Sequence, residues 1–98
     1  MDLKNKAFFV KSDGVYEEII PGNKESFSLE ELQKYVGGSI EIVYGGPREP
    51  DIICVINEEG KLKDLQYNFV ATLLFSDSLM EGDAIVGNVV ICDTKLVK

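Results

Sequence analysis

Histidine is absent from the 98 residues, arginine occurs once, cysteine twice, and no apolar run comes near the length of a membrane span. The missing histidine removes Ser-His-Asp and Cys-His nucleophilic systems, His-ligated zinc and every imidazole acid–base role. Ten Lys and Arg stand against seventeen Asp and Glu, a formal charge of −7. Duplex nucleic acid is therefore not an expected partner, because that affinity comes mainly from neutralising phosphates, and anionic membrane surfaces are disfavoured for the same reason. A small anion could still bind locally, since backbone N–H groups and one Arg act at short range. A helix that spans a bilayer needs about 18 apolar residues or more. Met1 to Lys6 lacks the apolar stretch of a secretory signal, so the expected compartment is the cytoplasm. Cys54 and Cys92 lie in the runs Ile52-Ile53-Cys54-Val55-Ile56 and Val89-Val90-Ile91-Cys92. They read as buried small hydrophobes, with a disulfide or a reactive thiol as the alternative.

What is present is a globular composition, 45% hydrophobic and 28% charged. The length suits one domain over residues 1–98. A chain of this mass buries about 65% of its surface on folding, which leaves a lone monomer marginal and makes self-association an expectation.

Ala7 to Val10 and Val15 to Ile20 read as two strands joined by Lys11-Ser12-Asp13-Gly14, whose Asp-Gly pair suits a tight hairpin turn. Ser28-Leu29-Glu30-Glu31 is a capping box, Phe27 and Leu32 form a hydrophobic staple, and Gly37 stands where a left-handed residue ends a helix. The spacing predicts a helix from Ser28 to Val36, with Leu29, Leu32 and Val36 as its apolar stripe. Ile40, Ile42 and Tyr44 then alternate as in a half-buried strand. Asp51 to Ile56 is apolar without alternation, as in a strand covered on both faces. Asn57 to Gly60 reads as a turn, and Lys61-Leu62-Lys63 as the start of a short edge segment. Asn68 to Phe75 fits either period, with a short helix favoured. Ala84 to Cys92 reads as a central strand bulged at Gly87. Together these elements predict an α+β fold: a mixed, largely antiparallel sheet of about five strands with one or two helices packed against it.

Chemistry has three candidate seats. The loop from Tyr44 to Pro50 sets the sole arginine, Arg48, beside Gly45 and Gly46 and an aromatic ring. Glycines let backbone N–H groups approach an anion, Arg contacts phosphate bidentately and Tyr44 could stack on a base, although Gly-Gly-Pro is also ordinary turn chemistry. Glu41, Glu58, Glu59 and Asp64 could hold Mg²⁺ if two converged, or simply face water. Asn57 and Asn68 flank apolar segments and could fix a ligand's hydrogen-bonding edge or satisfy backbone through a turn or a helix cap.

The string Leu29 to Ile42 with its Val36-Gly37-Gly38-Ser39-Ile40-Glu41 element, then Asn57-Glu58-Glu59-Gly60-Lys61-Leu62, Asn68, Ala71 and Asp83 to Gly87, resembles a family of small domains of unknown function common in bacteriophages and mobile elements. The resemblance runs from about Val15 to Cys92 and implies a phage or mobile-element setting with no assigned reaction. In such a setting the expected activity is non-enzymatic and cofactor-free. It is sequestration of a small nucleotide-type signal in the host cytoplasm by a homo-oligomer, through Tyr44, Gly45, Gly46, Arg48, Asn57 and Asn68. The alternative is an acidic protein that binds and blocks a host protein, and a third reading is an Mg²⁺-dependent phosphodiesterase.

Overall fold

A computed structural model describes residues 3–97, so Met1 and Asp2 of the Met1-to-Lys6 stretch and the terminal Lys98 lie outside the described residues. The chain forms strands β1 (Ala7–Val10) and β2 (Tyr16–Ile19), helix α1 (Leu29–Val36), strands β3 (Ile40–Tyr44) and β4 (Ile52–Asn57), helix α2 (Phe69–Leu74) and strand β5 (Val89–Asp93). Short 3-10 turns follow at Ser76–Ser78 and Thr94–Leu96. The five strands form one sheet in the order β2-β1-β5-β4-β3. Two hairpins, β1–β2 and β3–β4, flank β5, and every pairing is antiparallel. The sheet is thus not mixed: among the described residues the parallel contact is an isolated bridge between Phe27 and Val97.

Local chemistry sets the first half. Asp13 accepts from the Val15 N–H at 2.9 Å and Gly14 takes φ 93°, which closes the β1–β2 turn. At α1 the Ser28 hydroxyl accepts from the Glu31 N–H at 3.1 Å, and the Glu31 carboxylate accepts from the Ser28 N–H at 2.9 Å. The second oxygen of Glu31 accepts from the Gly22 N–H at 2.8 Å and ties the preceding loop to the helix. These backbone donors hold the Glu31 carboxyl below its ordinary range. Phe27 and Leu32 are buried, and Gly37 ends the helix at φ 82°. Leu29 departs from the expected stripe and is exposed, leaving Leu32 and Val36 as the buried contacts of α1.

The sheet is covered on both faces. α1 packs Leu32 and Val36 on Ala7, Ile53, Val55, Val90 and Cys92. α2 and the segment leading to β5 pack Ala71, Phe75 and Ile85 on Val10, Cys54, Val89 and Ile91. A strand buried on both sides needs apolar residues at consecutive positions, which is why β4 and β5 show no alternation. The pairing places Ile53 against Cys92 and Cys54 against Ile91, so the two thiols are on adjacent strands but point to opposite faces. They cannot bond to each other without a slip in register, and both are free. Burial pushes the Cys92 thiol up to about 12 and Cys54 upward as well, so neither is a nucleophile in the folded chain.

Two further expectations are corrected. Lys61 to Lys63 form turns and no strand: the Lys63 N–H donates to Glu59 O at 2.9 Å and the Leu65 N–H to Gly60 O at 2.9 Å. The turn from Asn57 to Gly60 is present, its Gly60 N–H donating to Asn57 O at 3.1 Å, and Asn57 is also the last residue of β4. Ala84 to Asn88 is not strand, and β5 starts at Val89. The cause is Gly87, whose φ of +82° breaks the extended run. Its N–H donates to Gln66 O at 2.7 Å, while Ile85 O accepts from the Asn68 N–H at 2.9 Å. The stretch therefore belongs to the α2 layer and not to the sheet.

Candidate functional site

An open groove of about 640 Å³ lies beside β3. Antiparallel pairing to β4 puts Glu41 and Val43 on the α2 face of the sheet, next to Ile56 and one pair removed from Glu58. These residues line it together with Ser78 to Met80, Asp83 to Val86, Lys61 and Leu62. Leu62 at 86% and Met80 at 82% exposure place two bare apolar side chains on the rim.

The charge of this groove is negative. Glu41, Glu58 and Asp83 contribute carboxylates, and Lys61 is its one cation. Lys61 donates to the Asp83 carboxylate, which with the Ala84 N–H holds the Asp83 carboxyl below its ordinary range. That pair is internally neutral. Glu41 and Glu58 make no ion pair among the described residues, so the groove keeps two uncompensated negative charges.

The sequence-derived site residues do not converge on one point. Tyr44, Gly46 and Asn57 line the groove. Gly45 lines a separate cavity of about 120 Å³ with Leu3, Ile52 and Phe75, and its N–H is committed to Ile52 O at 2.9 Å. Arg48 lies outside both cavities, its side chain 85% exposed, with Nε 3.5 Å from a carboxylate oxygen of Asp77.

Asn57 is buried, donates to Val36 O at 3.1 Å and accepts from the Glu59 N–H at 2.8 Å, joining the end of α1 to the turn after β4. Asn68 is fully buried; its Nδ2 donates to Val10 O at 3.2 Å and Gly87 O at 2.8 Å, and its Oδ1 accepts from the Ala71 N–H at 3.0 Å. Both Nδ2 hydrogens of Asn68 and its cap to α2 are thus taken by main chain.

Of the four acidic residues weighed for Mg²⁺, Glu41 and Glu58 line the groove and Glu59 and Asp64 do not. No cluster of three or more metal-ligating side chains occurs among the described residues. Nor is any helix among them long and apolar enough to cross a membrane.

Sequence reasoning missed Leu62, Met80 and Asp83 as parts of a surface feature. Leu62 between two lysines and Met80 in a polar stretch were the available signals: each is an apolar residue where a loop has no core to fill.

Neither a curated protein nor a solved structure matches this chain. A family profile does, over residues 6–96. That span takes in every strand and both helices, so the chain belongs to the DUF3846 family, a domain of unknown function.

Proposed function

We propose that this domain is a non-enzymatic binding module whose acidic groove captures a basic segment of a partner protein. In a phage or mobile-element setting, capture of this kind would occupy and block a host protein. One observation carries the reading: the groove beside β3 keeps the carboxylates of Glu41 and Glu58 uncompensated, while its single cation, Lys61, is neutralised by Asp83. Opposite charge steers encounter and suppresses wrong partners, and here the whole chain carries −7 in support. Leu62 and Met80 on the rim supply the apolar contact that a charged patch alone lacks. A nucleotide would bring phosphates to this negative surface, and the sole arginine lies outside it, beside Asp77.

Calorimetric titration with a capped octapeptide of alternating valine and lysine, beside its glutamate counterpart and a panel of mono- and dinucleotides, separates the two readings. The lysine peptide is expected to bind, the glutamate peptide and the nucleotides not. Its affinity should fall about tenfold between about 50 and about 300 mM salt, because the Debye length shrinks from about 14 to about 6 Å. Nucleotide binding with no response to the lysine peptide would replace this reading with sequestration of an anion.

A further inference from the structure

We infer that the captured segment docks by strand addition, pairing antiparallel with the open edge of β3 and extending the sheet by a sixth strand. This rests on the proposed capture of a basic segment and specifies how the segment is held. β3 is the last strand of the sheet on its side. Its ladder with β4 is closed at one end by the Glu58 N–H to Ser39 O at 2.8 Å and at the other by the Gly45 N–H to Ile52 O at 2.9 Å. Hydrogen-bonded pairs alternate along an antiparallel ladder, so Glu41 and Val43 bond inward and Ile40, Ile42 and Tyr44 turn their N–H and C=O groups outward. An edge of this kind is ordinarily guarded by lysine, proline or a bulge. The sequence Ile-Glu-Ile-Val-Tyr has none of these and a single charge, Glu41, whereas the opposite edge strand, β2, is shorter and carries two adjacent glutamates.

The side chains define what fits. Ile40 and Ile42 share the α1 face, while Glu41 and Val43 share the groove face. An added strand that alternates apolar and basic residues sets its apolar side chains beside Ile40, Ile42 and Tyr44 and its cations beside Glu41, over the groove. A second copy of this chain fits less well. Self-pairing about Ile42 sets Glu41 beside the neighbour's equivalent of Val43, gives it no counter-charge and brings two chains of −7 together.

Amide hydrogen exchange, followed by NMR on the protein alone and with the valine–lysine octapeptide, tests the mode of docking. In the protein alone, Ile40, Ile42 and Tyr44 should exchange at least about tenfold faster than Glu41 and Val43, and saturating peptide should slow them by at least about tenfold. The peptide's valines lie opposite those three residues, so N-methylating one valine should weaken binding about fivefold, and N-methylating a lysine, whose N–H points away, should not. Binding that leaves the three amides unprotected would overturn strand addition and leave capture by the groove standing. No binding would overturn both. Slow exchange of the three amides in the protein alone, together with a dimer mass, would assign the edge to a second copy and overturn the inference.

Discussion

Replacing Asn68 with alanine is expected to lower the unfolding free energy by roughly 3 to 5 kcal/mol, since it removes a helix cap and leaves buried polar groups unpaired. The side chain is fully buried and joins three parts of the fold: β1 through Val10 O, α2 through the Ala71 N–H, and the loop before β5 through Gly87 O. Against a total of about 5 to 15 kcal/mol for a domain this is a large fraction.

Asn68→Asp should be harmful at neutral pH for a different reason. Its second carboxylate oxygen would face the Val10 and Gly87 carbonyls where Nδ2 now donates. Burial and those carbonyls disfavour the charged form, so the carboxyl would titrate above its ordinary value in the folded chain. A raised folded value means that stability returns as pH falls, and the variant's melting temperature should climb between about pH 8 and about pH 5. The parent chain contains no histidine and should be flat over that range. Its carboxylates at Glu31, Asp83 and Asp93 titrate below their ordinary values, so its own loss comes only in more acidic solution. Urea unfolding of the alanine variant and melting against pH for the aspartate variant check both statements. An unfolding midpoint equal to the parent's in Asn68→Ala would contradict the role.

Gly45→Ala is expected to cost about 3 kcal/mol or more, or to prevent folding, because the added atom has no room to relax. A Cβ at this position would overlap the Glu49 carbonyl oxygen, lie 2.9 Å from Ile52 O and touch the Glu49 side chain at 3.0 Å. Two of those neighbours are backbone, fixed by the β3–β4 turn, so relief requires the hairpin to open. The adjacent Gly46 differs: its φ is +77° and a Cβ there would meet only the Ser78 hydroxyl at 3.2 Å. Gly46→Ala should cost about 1 kcal/mol, the ordinary penalty for a left-handed residue. Thermal melting of the two variants side by side gives the comparison. Equal, small losses would show that the chain does not pass itself closely at Gly45.

The capping box at Ser28, the Asp13-Gly14 turn and the two-faced burial of β4 were legible in the sequence because each depends on neighbours within a few residues. The placement of β5 between the two hairpins was not legible, since it joins the chain's end to its beginning and middle, and no local signal specifies that pairing. Nor was the start of β5: Gly87 inside an apolar run suits a bulge or a break equally, and the bond to Gln66 O decides for a break. The candidate site follows the same division. A buried asparagine can serve a ligand or the main chain, and only the positions of Val10, Ala71 and Gly87 show that Asn68 serves the main chain. Glu41 was legible as an acid, but β3 becomes an open edge only through the strand order.

The most direct measurement compares lysine-peptide affinity in the parent chain, in the double variant Glu41→Lys with Glu58→Lys, and in Arg48→Ala. All three positions are surface-placed, so melting temperatures should stay close together. Charge reversal in the groove is expected to weaken binding at least about tenfold, and loss of the arginine to leave it unchanged. Full affinity after the glutamate reversal, with binding lost in Arg48→Ala, would contradict the account.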